Sequence, residues 1–123
     1  MYPSVLIADD SRVFRDLMRE SLELWAGVRS FREAADGSEA IEKARQGKPD
    51  LVVLDLAMPK MDGFQAARIL KSMAPEVPLV LWTVHEVPLS DAEHAGFDRV
   101  VSKLEGLQAL ANCVVALLRK RAA

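Results

Sequence analysis

The apolar run Leu51-Val52-Val53-Leu54, closed by Asp55, constrains the fold of this chain more than any other stretch. Four consecutive branched apolar residues leave no polar face, so the segment reads as a strand buried on both sides. Strands of that kind belong to parallel sheets covered by helices. A carboxylate at the end of such a strand sits on the rim of the sheet, half in the core and half in water. Open α/β sheets carry their chemistry on that rim. Three further apolar runs in the chain also end on polar residues.

Taken in order, residues 4–8 (SVLIA) form the first buried run and end on Asp9-Asp10. Ser11 suits the N-cap of a helix whose apolar positions are Phe14, Leu17, Met18, Leu22 and Trp25, with Ser21 in the same stripe and Gly27 as the stop. Residues 28–34 carry Arg29, Arg32 and Glu33 and read as a weaker strand at a sheet edge, where charge is tolerated. Asp36 and Glu39 have capping-box spacing, and a short helix through Ile41 and Ala44 ends at Gly47. After the Asp55 strand, residues 57–63 form a loop. Phe64, Ala67, Leu70 and Met73 mark the third helix, which stops before Pro75.

Residues 77–82 (VPLVLW) are another buried run, ending on Thr83. Pro88 makes the following segment a loop. Ser90 and Glu93 have capping-box spacing for a short fourth helix that ends at Gly96. Residues 99–102 form a last strand ending on Lys103. The final helix turns Leu107, Leu110, Val114, Leu117 and Leu118 inward, with Arg119, Lys120 and Arg121 at its C-terminal end, where positive charge suits the helix dipole. Strand and helix thus alternate five times. The expected fold is α/β, a (βα)5 doubly wound sheet of five parallel strands with right-handed crossovers. The second strand is the least apolar and belongs at an edge. An order of 2-1-3-4-5 puts it there and makes the first and third strands neighbours at the topological switch point.

The 123 residues suit one domain, 1–123, expected to be a complete chain. A net charge of −2 gives no broad attraction to nucleic acid or to an anionic membrane. No apolar stretch approaches the ~20 residues that span a bilayer, and no basic-then-apolar leader opens the sequence. Cys113, the single cysteine, has no intramolecular partner and fits a reducing cytoplasm as a packing residue. His94 reads as a surface residue.

In this order, Asp9, Asp10, Asp55, Thr83 and Lys103 meet on one rim. Each taken alone is an ordinary strand end. Together they place three carboxylates opposite a hydroxyl and an ammonium. Carboxylates that close repel unless a cation intervenes, and a hard divalent ion with oxygen ligands, Mg²⁺ or Mn²⁺, answers that need.

The motifs ADD (8–10), VVLDLAMPKMDG (52–63), LWT (81–83) and VVSK (100–103) together span nearly the whole chain. On them the sequence resembles the receiver domains of two-component response regulators, a chemotaxis-regulator-like, flavodoxin-like superfamily. The resemblance implies that Asp55 accepts a phosphoryl group from a histidine kinase or histidine phosphotransfer protein. It implies that Asp10, Asp55 and the backbone carbonyl of Ala57 ligate Mg²⁺, with Asp9 acting through water. Thr83 and Lys103 would bind phosphoryl oxygens. Output would pass by protein contact through the face made by the fourth helix, last strand and last helix, as a monomer or a phosphorylation-dependent dimer. The chain would catalyse only its own phosphorylation and dephosphorylation.

Four positions depart from the family pattern. Val100 stands where many relatives carry a switching Tyr or Phe, and Phe97 nearby reads as core. Leu104 replaces the common proline after the lysine. Val84 is bulkier than usual after Thr83 and would narrow access to Asp55. Ala57 and His85 occupy positions that tune phosphoryl loss. Leu104, Ala111 and Val115 are expected to leave apolar area beside the last helix, and Trp82 to pack near the site.

Two other readings compete. One is a receiver-like binding module independent of phosphate, favoured by Val100 and Val84. The other is a metal-dependent phosphohydrolase of the haloacid dehalogenase type. That type wants an acid two residues after Asp9, where Ser11 stands. An electron carrier of flavodoxin type would need a Ser/Thr/Gly-rich phosphate loop after the first strand, which is missing.

Overall fold

The computed structural model describes residues 2–122, with side chains through residue 121. Five strands alternate with five helices. They are β1 (Ser4–Ala8), α1 (Arg12–Ala26), β2 (Ser30–Ala34), α2 (Gly37–Gln46), β3 (Leu51–Leu54), α3 (Gly63–Met73), β4 (Leu79–Thr83), α4 (Leu89–Ala95), β5 (Arg99–Ser102) and α5 (Leu107–Ala122). The strands are parallel in the order β2-β1-β3-β4-β5. The expected edge and switch point are therefore those observed.

Side chains alternate between the faces of a strand, and here that period builds two apolar layers. Leu6, Ala8, Val52, Leu54, Leu79 and Leu81 meet α2, α3 and α4 through Ile41, Ala67, Leu70 and Ala92. On the other face Val5, Ile7, Leu51, Val53, Val80 and Trp82 meet α1 and α5 through Met18, Leu22, Leu110, Ala111, Val114 and Leu117. The continuous apolar runs were thus needed for both layers at once. Charged β2 is half-buried, as its edge place allows. Phe97 is core, packed edge-on to Phe64 at 6.2 Å between centroids.

Several local expectations are corrected. Of the α1 stripe, only Met18, Ser21 and Leu22 are buried, while Phe14, Leu17 and Trp25 are exposed, because helical spacing does not tell where a neighbouring helix ends. The second strand starts at Ser30, although Val28 before it is buried. Ser90 and Glu93 do not cap α4. Pro88 is its N-cap residue and makes no side-chain cap bond. At α2 only half the capping box forms: Asp36 accepts from the Glu39 N–H at 2.8 Å, while Glu39 reaches the Ala35 N–H. Ala111 faces inward and is fully buried, so it adds nothing to the outer surface of α5. Trp82 lies in the α1–α5 layer, with its indole N–H unpartnered among the described residues.

Candidate functional site

The rim site begins with strand register. Ala8 and Leu54 are paired, so Asp9 and Asp55 follow them side by side. The Asp55 N–H continues the ladder to the Ala8 carbonyl at 2.9 Å, and the Asp9 N–H reaches the Ala34 carbonyl at 3.1 Å. Both carboxylates are thereby held by backbone that is already paired. Asp9 is fully buried and Asp55 nearly so, while Asp10 is exposed. An oxygen from each of the three lies within 4.8 Å of the others.

Lys103 comes from the far side of the sheet. It opens a 3₁₀ turn, Lys103–Glu105, capped in both directions: Ser102 Oγ accepts from the Leu104 N–H at 3.1 Å, and Glu105 accepts from the Ser102 N–H at 3.0 Å. The turn directs the lysine back across the rim. Its Nζ donates to Asp9 Oδ2 at 2.8 Å and to Asp55 Oδ2 at 3.2 Å. This Ser-x-x-Glu box is visible in the sequence, and sequence reasoning missed it.

The loop beyond β3 folds down onto the site. Gly63 donates to the Leu56 carbonyl at 2.8 Å, and a β-carbon at Gly63 would lie 2.4 Å from the Asp55 carbonyl oxygen. Only glycine lets α3 start this close to the acceptor strand. Lys60 takes a left-handed conformation, φ 66°, and its ammonium reaches Asp36 at 3.6 Å. Ala57 is exposed in this loop.

Thr83 is fully buried at the end of β4, and its hydroxyl accepts from the His85 N–H at 3.2 Å. His85 and Val84 are exposed. Val84 lines a groove of about 760 Å³ with Thr83, Val87, Val100, Ser102 and Leu104. Val100 is half-buried beside this groove, and Leu104 is 87% exposed.

The donor set suits a hard cation. Asp9 Oδ1 accepts from Ser11 N–H and Asp55 Oδ1 from Leu56 N–H, at 2.9 and 2.8 Å. Each of these carboxylate oxygens keeps a further lone pair, and Asp10 is exposed beside them. Three carboxylates within one ion's reach form an oxygen-only set that could hold a metal ion.

Burial is the main reason that the Asp55 carboxyl is pushed above its usual pKa. The Lys103 ammonium opposes the shift, the Asp9 charge adds to it, and the N–H bonds from Lys103 and Leu56 oppose it. A carboxyl that holds its proton more tightly in the fold than in the unfolded chain favours folding at low pH. That contribution is lost as pH rises through the folded value. Asp55→Asn is therefore expected to raise the melting temperature of the ion-free protein at neutral pH. The gain should shrink as the pH falls toward about 4, where the unfolded carboxyl also protonates. Thermal melts across that range in a chelator check it, and a lower melting point for the variant at neutral pH would contradict it.

A five-stranded 2-1-3-4-5 sheet with an acidic triad, a hydroxyl and a lysine on its C-terminal rim defines the class of receiver domains. Comparison with known proteins agrees. Residues 5–115 match the response regulator receiver domain, and the chain belongs to that family. The response regulator MprA of Mycobacterium sp. strain KMS is 34% identical over 121 residues, covering 94% of this chain and 50% of the relative. The chain thus spans about half the length of the curated relatives it matches. Among solved structures, a LuxR-family two-component response regulator from Aurantimonas sp. SI85-9A1 superposes with a TM-score of 0.90 at 28% identity, covering 98% of this chain and 88% of that one. The signal receiver domain of the putative regulator NarL from Mycobacterium tuberculosis gives 0.87 at 28%, covering 96% and 97%.

Proposed function

We propose that this chain is a phosphorylation-activated signalling switch that accepts a phosphoryl group on Asp55. The observation that carries this reading is the lysine bridge. Lys103 holds one oxygen of Asp55 and one of Asp9 in a nearly closed site, with Asp10 completing an ion's reach at the open side. One oxygen of Asp55 would bond to phosphorus as the bond from phosphorus to the donor breaks, the electron pair leaving with the donor. Such a transfer needs positioning and neutralisation of charge more than acid–base work.

Asp9, Asp10, Asp55 and the Ala57 carbonyl are assigned to Mg²⁺ or Mn²⁺, which when bound neutralises the incoming phosphoryl oxygens. Lys103 would exchange its bond to Asp55 for one to a phosphoryl oxygen, and the Thr83 hydroxyl would donate to another. Since Thr83 also accepts from His85, its turn toward phosphate would release the segment 84–88. That segment walls the groove beside Val100 and Leu104. A change in this groove would reach a downstream protein through α4, β5 and α5 without the aromatic switch that Val100 replaces. His85, at the mouth of the same segment, would tune phosphoryl loss.

The donor is a histidine kinase or a histidine phosphotransfer protein in the cytoplasm, and the exposed Val13 and Leu17 offer it an apolar landing on α1. No described helix is long and apolar enough to cross a membrane. The chain catalyses only its own phosphorylation and dephosphorylation. Incubation with Mg²⁺ and a small phosphodonor, followed by intact mass measurement, tests the proposal. A single phosphoryl adduct supports it. No adduct from a small donor or a cognate kinase would favour a phosphate-independent binding module, and rapid multiple turnover of a phosphoester would favour a hydrolase.

A further inference from the structure

Phe14 is a large apolar side chain that joins neither apolar layer of the fold. It is 37% exposed, in the first turn of α1. Its one specific contact is with the lysine of the rim: the Lys103 Nζ lies 4.1 Å from the centroid of its ring. An ammonium has three N–H donors. Two of those on Lys103 go to Asp9 and Asp55, and the ring takes the remaining side. The lysine side chain is consequently only 8% exposed, while the ring that covers it faces solvent.

We propose that Phe14 is a positioning residue for phosphoryl transfer, holding the Lys103 ammonium at the acceptor through a cation–π contact. This rests on the reading of Asp55 as acceptor. A lysine has a flexible four-carbon stem and a strongly hydrated head. Without a wall on its third side, that head would swing to water when it gives up Asp55 to meet a phosphoryl oxygen. The ring is attractive to a cation, and more so where water is excluded. It keeps the ammonium over the rim in both states and needs no polar atom that would compete with phosphate. Ser11 and Arg15 hold the start of α1 in place for this. The Ser11 N–H donates to Asp9, Ser11 Oγ accepts from the Phe14 N–H at 3.3 Å, and the Arg15 guanidinium donates to the Asp9 carbonyl at 2.6 Å. Phe14 is therefore registered to the same aspartate that Lys103 grips.

The test compares Phe14→Leu, which keeps an apolar side chain without the ring, with Phe14→Tyr, which keeps the ring. Adduct formation is followed by intact mass with acetyl phosphate at saturating Mg²⁺. Phe14→Leu should be slower by about three- to tenfold, and Phe14→Tyr should stay within about twofold of the unsubstituted chain. In a Lys103→Ala background, Phe14→Leu should cause no further slowing, because the residue acts through the lysine. Proton NMR gives a readout independent of turnover: the Lys103 ε-methylene resonance should be shifted upfield by the ring and return to its ordinary position in Phe14→Leu. Equal rates for Phe14→Leu and the unsubstituted chain, or equal slowing with and without Lys103, would overturn the inference while leaving Asp55 as acceptor. No adduct on the unsubstituted chain would overturn both.

Discussion

Asp55→Asn is expected to abolish the phosphoryl adduct, reducing its rate of formation by at least about a hundredfold, because a neutral amide has no anionic oxygen to attack phosphorus. The substitution keeps the shape of the site. The amide oxygen can still accept from the Leu56 N–H, while the amide NH2 takes the place of the oxygen that Lys103 bonds and leaves that lysine its Asp9 partner, so a thermal melt beside the mass measurement separates lost chemistry from unfolding. Neither neighbouring aspartate is placed to substitute. Asp9 is fully buried and held by the Ser11 N–H and Lys103, while Asp10 is exposed and outside the lysine bridge. Intact mass measurement of the variant with Mg²⁺ and a small phosphodonor checks this. An adduct of undiminished rate would place the acceptor elsewhere.

Lys103→Ala should have the largest effect on the ion-free protein. Its ammonium is the only cation bonded to either Asp9 or Asp55 through their side chains among the described residues. Removing it leaves two buried carboxylates facing each other without a counter-charge. Breaking a buried ion pair from one side costs about 3–5 kcal/mol. A divalent ion can take over the neutralising role, so the loss should shrink on adding Mg²⁺, through the linkage between binding and folding. Denaturant titrations in chelator and in millimolar Mg²⁺ separate the two conditions. Equal destabilisation in both would show that the ion does not occupy the carboxylate cluster. The same variant should bind Mg²⁺ yet lose the effect of phosphorylation on partner affinity, because its contact to the phosphoryl oxygens is gone.

The two substitutions also differ in sign, which follows from burial. Neutralising Asp55 relieves the ion-free site of a charge held out of water, so stability rises at neutral pH. Neutralising Lys103 removes the compensation, so stability falls. The ion-free site thus holds a buried acid whose charge is destabilising, kept in place by the paired backbone of the sheet.

Much of this was legible in the chain. Strands buried on both faces must be apolar at successive positions, and for that reason β1, β3 and β4 were visible as runs. A parallel sheet with one charged strand has few acceptable orders, and β2 went to the edge as its Arg32 and Glu33 required. Once the order was known, Asp9, Asp55, Thr83 and Lys103 had to share one rim, since the polar ends of parallel strands point the same way.

Other features depended on three-dimensional neighbours. Phe14, Leu17 and Trp25 share helical spacing with Met18 and Leu22, but spacing does not say how far α5 reaches along α1. Ala111 carries too little side chain to announce which way it faces, and the close packing of α1 against α5 decides it. The start of α4 at Pro88 overrode the Ser90–Glu93 pattern, because a capping box is a local preference worth about 1 kcal/mol, which loop geometry outweighs.

Asp55 shows the division most clearly. The sequence by itself determined that it ends a buried strand and that other polar residues end the neighbouring strands, because hydrophobic burial dictates strand, order and direction. Only the tertiary structure decided that Lys103 bridges Asp55 to Asp9, that the capped 3₁₀ turn aims it there, and that Phe14 closes the third side of the ammonium. Those contacts join residues 48, 89 and 94 positions apart — Asp55, Phe14 and Asp9, each measured from Lys103 — so no local pattern records them.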